Sequence, residues 1–422
     1  MNANLKITSV NLFIRGITLA AKFILIILIA EIFTLEQLGV WGIFTTSITL
    51  MMYIVGIDFY TFSTRTFLRV PPKERGAMLR DQFVFYLLNY AVLLPILAFT
   101  LFPGIIEMKY IFFFYAILIL EHLSQEAHRT LVVFSKPLQA NILLFFRNGL
   151  WVYVLVILWL LGFEKLKTIN WIFIFWISGG IITLFYSAYT FSAFRLTSIK
   201  TIPINWKWIK EGIKVSLLFF TGTIGYRIID VADRYFIKYY RSEAEAGIYV
   251  FYATLSNLIE IIVYTAVIII FTPKLIEQFN SDTNNYKETF YQFARQIIYY
   301  TCGAFILLIA GVIPVLFFLD KPEFSENIPV FILLSFSKAI LSLSLIFHYI
   351  LYIRRRDRQI VIATIIGAVI TIALNFIMIP VIGMIGAAIS TLTGLCLLFG
   401  FKFIFSYKYP EAKTIFKKPQ TE

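Results

Sequence analysis

The sequence predicts an all-α polytopic membrane protein: twelve transmembrane helices in two six-helix lobes related by a parallel pseudo-two-fold repeat. Three observations predict it. The 422 residues are 59% hydrophobic and 18% aromatic against 14% charged, with a mean hydropathy of +0.82, a balance that belongs to chains dissolved in lipid. Apolar runs of roughly 20 residues, long enough to cross a hydrocarbon core of about 30 Å, recur from end to end. Lys and Arg crowd onto alternate loops, the pattern of a chain threaded back and forth across a bilayer.

The runs place spans near 8–30, 38–62, 81–102, 109–133, 140–162, 170–194, 213–238, 247–271, 296–319, 327–352, 360–380 and 383–406. The first run is long enough to span and lacks the short apolar core and small-residue cleavage site of a signal peptide, so it reads as a retained helix. One set of loops holds twenty-three Lys and Arg, among them Lys6, Arg65, Arg69, Lys73, Arg195, Lys200, Lys413, Lys417 and Lys418, and the other set holds six. Positive loops stay in the cytoplasm, which puts both termini there. The net charge of +13 is therefore a topology signal; these residues flank spans and form no separate basic domain for nucleic acid.

The outward loops are too short to fold into a catalytic domain. Inside, the segment 196–212 with its PINWKWIKEG separates an N-terminal lobe, 1–195, from a C-terminal lobe, 213–422. Trp206 and Trp208 alternating with Lys207 and Lys210 suit a segment lying at the headgroup interface, or a plain solvated linker. Weak internal similarity supports the repeat: LEQLGVWGIFTTSITLMMYIV aligns with EAEAGIYVFYATLSNLIEIIV, Gly39 on Gly247. One helix earlier in each half, Arg15 and Lys22 are seven apart, as are Arg227 and Arg234.

Charges at a helix centre cost about 2.5–3.5 kcal/mol each even on a lenient insertion scale. The spans nevertheless hold basic Arg15, Lys22, Arg147, Arg227, Arg234 and Lys338, and acidic Asp58, Glu121, Glu126, Asp230, Asp233 and Glu260. The equal numbers fit structural or gating salt bridges, and the basic faces fit an anion-binding cavity. In GYRIIDVADRYFI, Arg227, Asp230 and Arg234 fall on one helical face, placing Asp230 to neutralise both arginines. Arg15, Thr18 and Lys22 share a face with no acid on their own helix, and Asp58 lies deep enough to pair with Arg15 as a gate. EHLSQEAHR carries Glu121, His122, Glu126 and His128; Glu, His and the more distant Glu260 are candidates for gating or for carrying a coupling proton or cation.

His122 and His128 are six apart, on different helix faces, and no zinc spacing exists. Cys302 and Cys396 form no CxxC or Cys/His pattern and read as small buried apolar residues. A Gly-rich phosphate loop and a nucleophile elbow are also missing, which leaves gradient-coupled transport or passive exchange.

Four further features carry a family resemblance: LGVWGIF at 38–44, DRYFI at 233–237 followed by EAGIYVFY at 245–252, and IPVIGMIGAAIST at 379–391. With the length and span count, they resemble the polysaccharide-unit flippases of the multidrug, oligosaccharidyl-lipid and polysaccharide exporter superfamily. The resemblance implies a bacterial inner-membrane transporter and no enzyme. Its two lobes open alternately to either side, moving oligosaccharide on undecaprenyl pyrophosphate to the periplasmic leaflet for O-antigen, lipopolysaccharide or capsule assembly. It implies no cofactor beyond an H+ or Na+ gradient, and as partners membrane lipid, a downstream polymerase and a chain-length regulator. Arginine forks and lysine point charges suit a pyrophosphate. Arg15, Lys22, Arg227 and Arg234 are therefore the first candidates for headgroup contacts, with Arg147 and Lys338 behind them. A drug or cation exporter of the same superfamily is the rival reading, expected to use an acidic cavity. A lipid-linked peptidoglycan precursor flippase would imply fourteen spans. A membrane glycan polymerase or ligase would need a large periplasmic loop.

Overall fold

Backbone polar groups in lipid must be satisfied within the segment, which favours helices, and the described residues form helices and no strand. The computed structural model describes residues 2–71, 74–102, 104–192, 202–281 and 285–414, without the side chains of 2–9, 285, 413 and 414. Lys73, Arg195, Lys200, Lys417, Lys418 and both chain ends lie outside the described residues. So do residues 193–201, which hold the end of the sixth expected span and the start of the linker, and the side chains of Lys6 and Lys413.

In chain order the helices are α1 (Asn2–Ile32), α2 (Leu35–Gly56), α3 (Phe59–Phe67), α4 (Arg75–Thr100), α5 (Ile111–Val133), α6 (Pro137–Phe145), α7 (Trp151–Leu160), α8 (Ile169–Ser192), α9 (Trp206–Tyr240), α10 (Glu243–Val263), α11 (Ile269–Asn280), α12 (Asn285–Leu319), α13 (Pro322–Glu326), α14 (Ile328–Ile353), α15 (Asp357–Ser406) and α16 (Pro410–Thr414). Two π-helical turns, Phe146–Leu150 and Tyr264–Ile268, join α6 to α7 and α10 to α11. Among the described residues ten helical stretches are long and apolar enough to cross a membrane, so the chain is a multi-pass membrane protein. It divides into two compact units: unit 1 is residues 1–33 and 43–223, and unit 2 is residues 34–42 and 224–422.

Local sequence explains several boundaries. Pro137 opens α6 where its missing N–H costs nothing. Ser242 caps α10 by accepting the Glu245 N–H at 3.1 Å, with Glu243 and Glu245 in the first turn where the helix dipole favours acids. The 50 residues of α15 are not one rod: Ile382 and Gly383 leave helical geometry after Pro380, Gly383 with φ 58° and ψ −136°. That conformation admits glycine alone at low cost. Its arms pack closely enough that a Cβ on Gly394 would lie 1.9 Å from the Thr371 hydroxyl.

Three expectations are corrected by the structure. The run 38–62 is not a single span: α2 ends at Gly56, and Ile57 and Asp58 take φ of 44° and 50° before α3 begins. Hydropathy carries no sign of this break, and a left-handed β-branched residue is strained by about 1–3 kcal/mol. Asn89 helps hold the break by donating its side-chain amide to the Val55 carbonyl at 2.8 Å. Cys302 and Cys396 are exposed on helix surfaces, because a small thiol is tolerated on an apolar outer face as readily as in a core.

The third correction is the linker. Residues 206–212 are the first turns of α9 and not a plain solvated linker, and Trp208 is buried. Its ring packs 5.3 Å from Phe59 and 5.5 Å from Phe62. Asn205 Oδ1 accepts the Trp208 N–H at 2.9 Å, and buried Asp81 accepts the Asn205 N–H at 2.9 Å while pairing with Arg80 at 2.6 Å. Trp206 stays exposed. Asp81→Ala is expected to lower stability by about 2 kcal/mol through these lost hydrogen bonds and to speed proteolysis at residues 202–205. A cleavage rate equal to wild type would show that the clamp holds nothing.

Candidate functional site

The spans' charges collect into separate clusters within each unit. In unit 1, Arg15 Nε donates to Asn141 Oδ1 at 2.9 Å, and Asn141 Nδ2 donates to Asn11 Oδ1 at 2.8 Å. Arg15 thus rests on a relay of uncharged amides. It forms no ion pair with Asp58, which is buried at the left-handed start of α3. Two turns along α1, Lys22 is exposed, within electrostatic reach of Arg147 and Glu121. Among the described residues neither Arg15 nor Lys22 has a salt-bridge partner.

Arg147 sits in the π-helical turn 146–150, a local widening often found at functional positions. Its Nε and Nη2 reach Glu121 Oε2 at 2.6 and 2.5 Å, and Glu121 Oε1 accepts the Trp176 indole N–H at 2.7 Å. One turn further along α5, Glu126 takes Gln82 and Tyr86 on one oxygen, at 2.9 and 2.7 Å, and Arg129 on the other at 2.5 Å. The Arg129 guanidinium lies 3.6 Å over the Tyr60 ring. His122 shares a 2.6 Å hydrogen bond with Tyr90. Among the described residues no group of His, Cys, Asp or Glu is arranged to hold a metal ion.

Unit 2 gathers the stretch GYRIIDVADRYFI into a different pattern. Asp230 pairs with Arg227 at 3.2 Å, one turn away on α9, and with Lys338 of α14 at 2.6 Å. The short partner of Asp230 is therefore Lys338, which sequence spacing did not indicate, and the lysine also reaches Glu260 of α10 at 3.5 Å. Tyr226 donates its hydroxyl across both Glu260 oxygens, at 3.0 and 3.1 Å. Asp233 turns the other way: it accepts the Tyr249 hydroxyl, the Thr391 hydroxyl at 3.0 Å and the Arg234 N–H at 2.8 Å. Tyr226, Asp230, Asp233, Arg234, Ser256, Lys338 and Thr391 line a small internal cavity, with room for about one water molecule.

Most of the sequence's candidates therefore fall into networks, but the two halves differ. Among the described residues the basic pair of α1 has no carboxylate partner, whereas Arg227 and Lys338 are matched by acids. Gln82, Tyr86, Tyr90, Trp176, Tyr226, Tyr249 and Thr391 complete the networks and were not singled out by sequence. A tyrosine among 24 gives no local sign that its hydroxyl meets a carboxylate from another helix.

No family model matches the sequence, and no curated protein matches it. Solved structures do match its fold. An inward-facing multidrug resistance transporter of the MATE family and MOP superfamily aligns with a TM-score of 0.75 at 12% identity, covering 96% of both chains. Lipid II flippase MurJ, in an inward closed conformation, aligns with a TM-score of 0.71 at 14% identity, covering 97% of this chain and 90% of that one. The chain has the fold of MOP-superfamily transporters.

Proposed function

We propose that this chain is a flippase for an anionic, lipid-linked oligosaccharide. It carries undecaprenyl-pyrophosphate-linked repeat units from the cytoplasmic to the periplasmic leaflet of a bacterial inner membrane by alternating access, supplying O-antigen or capsule assembly. Both termini are cytoplasmic, and the chain crosses twelve times in two six-helix lobes. The ten apolar helical stretches, α5 as a further crossing, and the division of α15 at Ile382 and Gly383 support that count. A downstream polymerase and a chain-length regulator are its expected partners.

The observation that carries this reading is α1: Arg15, half-buried, and Lys22, exposed, face one way and have no ion pair among the described residues, while Asn141 and Asn11 add uncharged polar groups. A cationic surface left uncompensated beside lipid is expensive and is stabilised when an anion arrives. Pyrophosphate fits, since arginine and lysine both donate charged hydrogen bonds to phosphate oxygens, while the prenyl chain stays in lipid. Arg147 stands behind this pair. The cavity of unit 2 is too small for a phosphate, so Arg227, Arg234 and Lys338 are assigned a secondary part. A cation exporter needs unmatched carboxylates, and Glu121, Glu126 and Asp230 all hold cations.

Replacing Arg15 or Lys22 by Ala is expected to slow glycan export about tenfold each, the size of one charged hydrogen bond, and the double variant to abolish it. Lipid-linked units then accumulate on the cytoplasmic side at normal protein levels. Wild-type surface glycan in the double variant would remove the headgroup role.

A further inference from the structure

Unit 2 holds a second buried lysine, and this one has no acid. Lys402 lies on the second arm of α15, one turn before its end at Ser406, and is 5% exposed. Among the described residues it makes no hydrogen bond and no ion pair. Phe347 of α14 packs against Phe399 and Phe403, at 5.3 and 5.1 Å between ring centres, and so brings the next residue, His348, to the level of Lys402. The imidazole is within electrostatic reach of Lys402, and its buried Nδ1 has no hydrogen-bond partner either. An unmatched ammonium at this depth is costly in lipid, and an unpaired ring nitrogen adds to the cost. Both costs fall when an anion sits against them.

The pair lies roughly 6 Å inside the end of unit 2 that carries the loop 354–358 and the segment 407–414. In the proposed topology that end is cytoplasmic. Between residues 348 and 411 the chain has six Lys and Arg against Asp357 and Glu411. Arg354 holds Glu411 at 2.6 Å, while Arg355, Arg356, Arg358 and Lys408 are exposed. His348 stacks on Tyr352 at 6.0 Å and 13°, and Tyr352, Ile404 and Tyr407 are exposed. Basic pockets between helices at this side of a bilayer suit anionic headgroups. Here an unmatched cation lies beneath a basic surface and beside an apolar flank.

We propose that Lys402 and His348 form a binding site for the phosphate of an anionic phospholipid, entered from the bilayer past Tyr352. The ammonium, and the imidazole in the tautomer that carries its proton on Nδ1, donate to phosphate oxygens. Arg355, Arg356 and Arg358 hold negative charge at the surface above. Free phosphate would meet the same donors but gain nothing from Ile404 and Tyr407, against which acyl chains can lie. The site is separate from Arg15 and Lys22 in unit 1 and does not depend on the cargo.

The test is the apparent Tm of the purified full-length chain in detergent, titrated with phosphatidylglycerol, with phosphatidylcholine of the same acyl chains, or with inorganic phosphate. Wild type is expected to gain Tm with phosphatidylglycerol alone. Without lipid, Lys402→Met is expected to be at least as stable as wild type, because an unmatched buried charge has gone. It is then expected to need about tenfold more phosphatidylglycerol, the size of one charged hydrogen bond. A lysine with a purely structural role would give the reverse, a lower Tm before lipid and an unchanged lipid response. Lys214→Met, on the exposed side of α9 in unit 1, is the control for surface charge and is expected to respond as wild type does. Should Lys402→Met not accumulate, reductive methylation of wild type decides: peptide mapping is expected to find Lys402 methylated in phosphatidylcholine vesicles and shielded in vesicles containing phosphatidylglycerol. Equal labelling in both vesicles, an equal gain with phosphatidylcholine or inorganic phosphate, an unchanged response in Lys402→Met or a matching loss in Lys214→Met overturns the site.

Discussion

Lys338→Met is expected to be among the most damaging single substitutions in unit 2, costing about 3–5 kcal/mol, the range seen when one partner of a buried ion pair is removed. Lys338 is 5% exposed and is the short contact of Asp230. Methionine keeps the length of the side chain and much of its packing, so the loss is electrostatic. Asp230 keeps Arg227 alone, and Glu260 faces a second carboxylate without a cation between them. Pairing the substitution with Asp230→Asn removes the uncompensated charge and is expected to recover most of the loss. The apparent Tm of the purified protein measures both variants. A single variant as stable as wild type, or a double variant no better than the single, would show that the pair contributes little.

Gly39→Val is expected to have an effect of similar size through pure sterics. A Cβ on Gly39 would lie 1.9 Å from the Glu243 carbonyl oxygen and 2.7 Å from its carbon, and a Cβ on Gly247 would lie 2.7 Å from the Gly39 nitrogen. These are backbone atoms at the capped start of α10, so no side chain can swing aside. The first turn of α2 must lift off, and a loss of about 3 kcal/mol, the upper end for overpacking, is expected. Small residues permit such close backbone approach between membrane helices. Gly16→Ala is the control, because a Cβ there meets nothing within 4 Å. Equal Tm values for Gly39→Val and wild type would mean that the contact is not required.

The sequence made the helices legible because lipid allows few alternatives: an apolar run of spanning length has to be helical. It also aligned Gly39 with Gly247, and those two residues touch. The break at Ile57 and Asp58 was hidden because apolar composition is indifferent to backbone handedness. The helical start of α9 was hidden for a related reason: Trp208 reads as a surface residue until Phe59 and Phe62 are brought to it, and Asn205 reads as linker until Asp81 is brought to its N–H. For the site, sequence found the charges and missed their pairing. Asp230 and Lys338 are 108 positions apart, Glu121 and Arg147 are 26 apart, and nothing local encodes either contact. Helical spacing did find Arg227 beside Asp230, because i,i+3 neighbours are fixed by the helix itself.

One helix in unit 1 has a consequence for how the chain is made. With Glu121, His122, Glu126 and Arg129, α5 is absent from the stretches apolar enough to cross by composition, and its three full charges carry an insertion cost of about 8 kcal/mol. For Glu126 and His122 the partners Gln82, Tyr86 and Tyr90 on α4 have already been synthesised. Glu121 has no such partner: Arg147 follows 26 residues later and Trp176 55 residues later. At about 5–20 residues per second a ribosome takes roughly 3–11 s to supply them. Through that interval Glu121 is a carboxylate without its partners, and it is paired only once the π-helical turn 146–150 and α8 have followed.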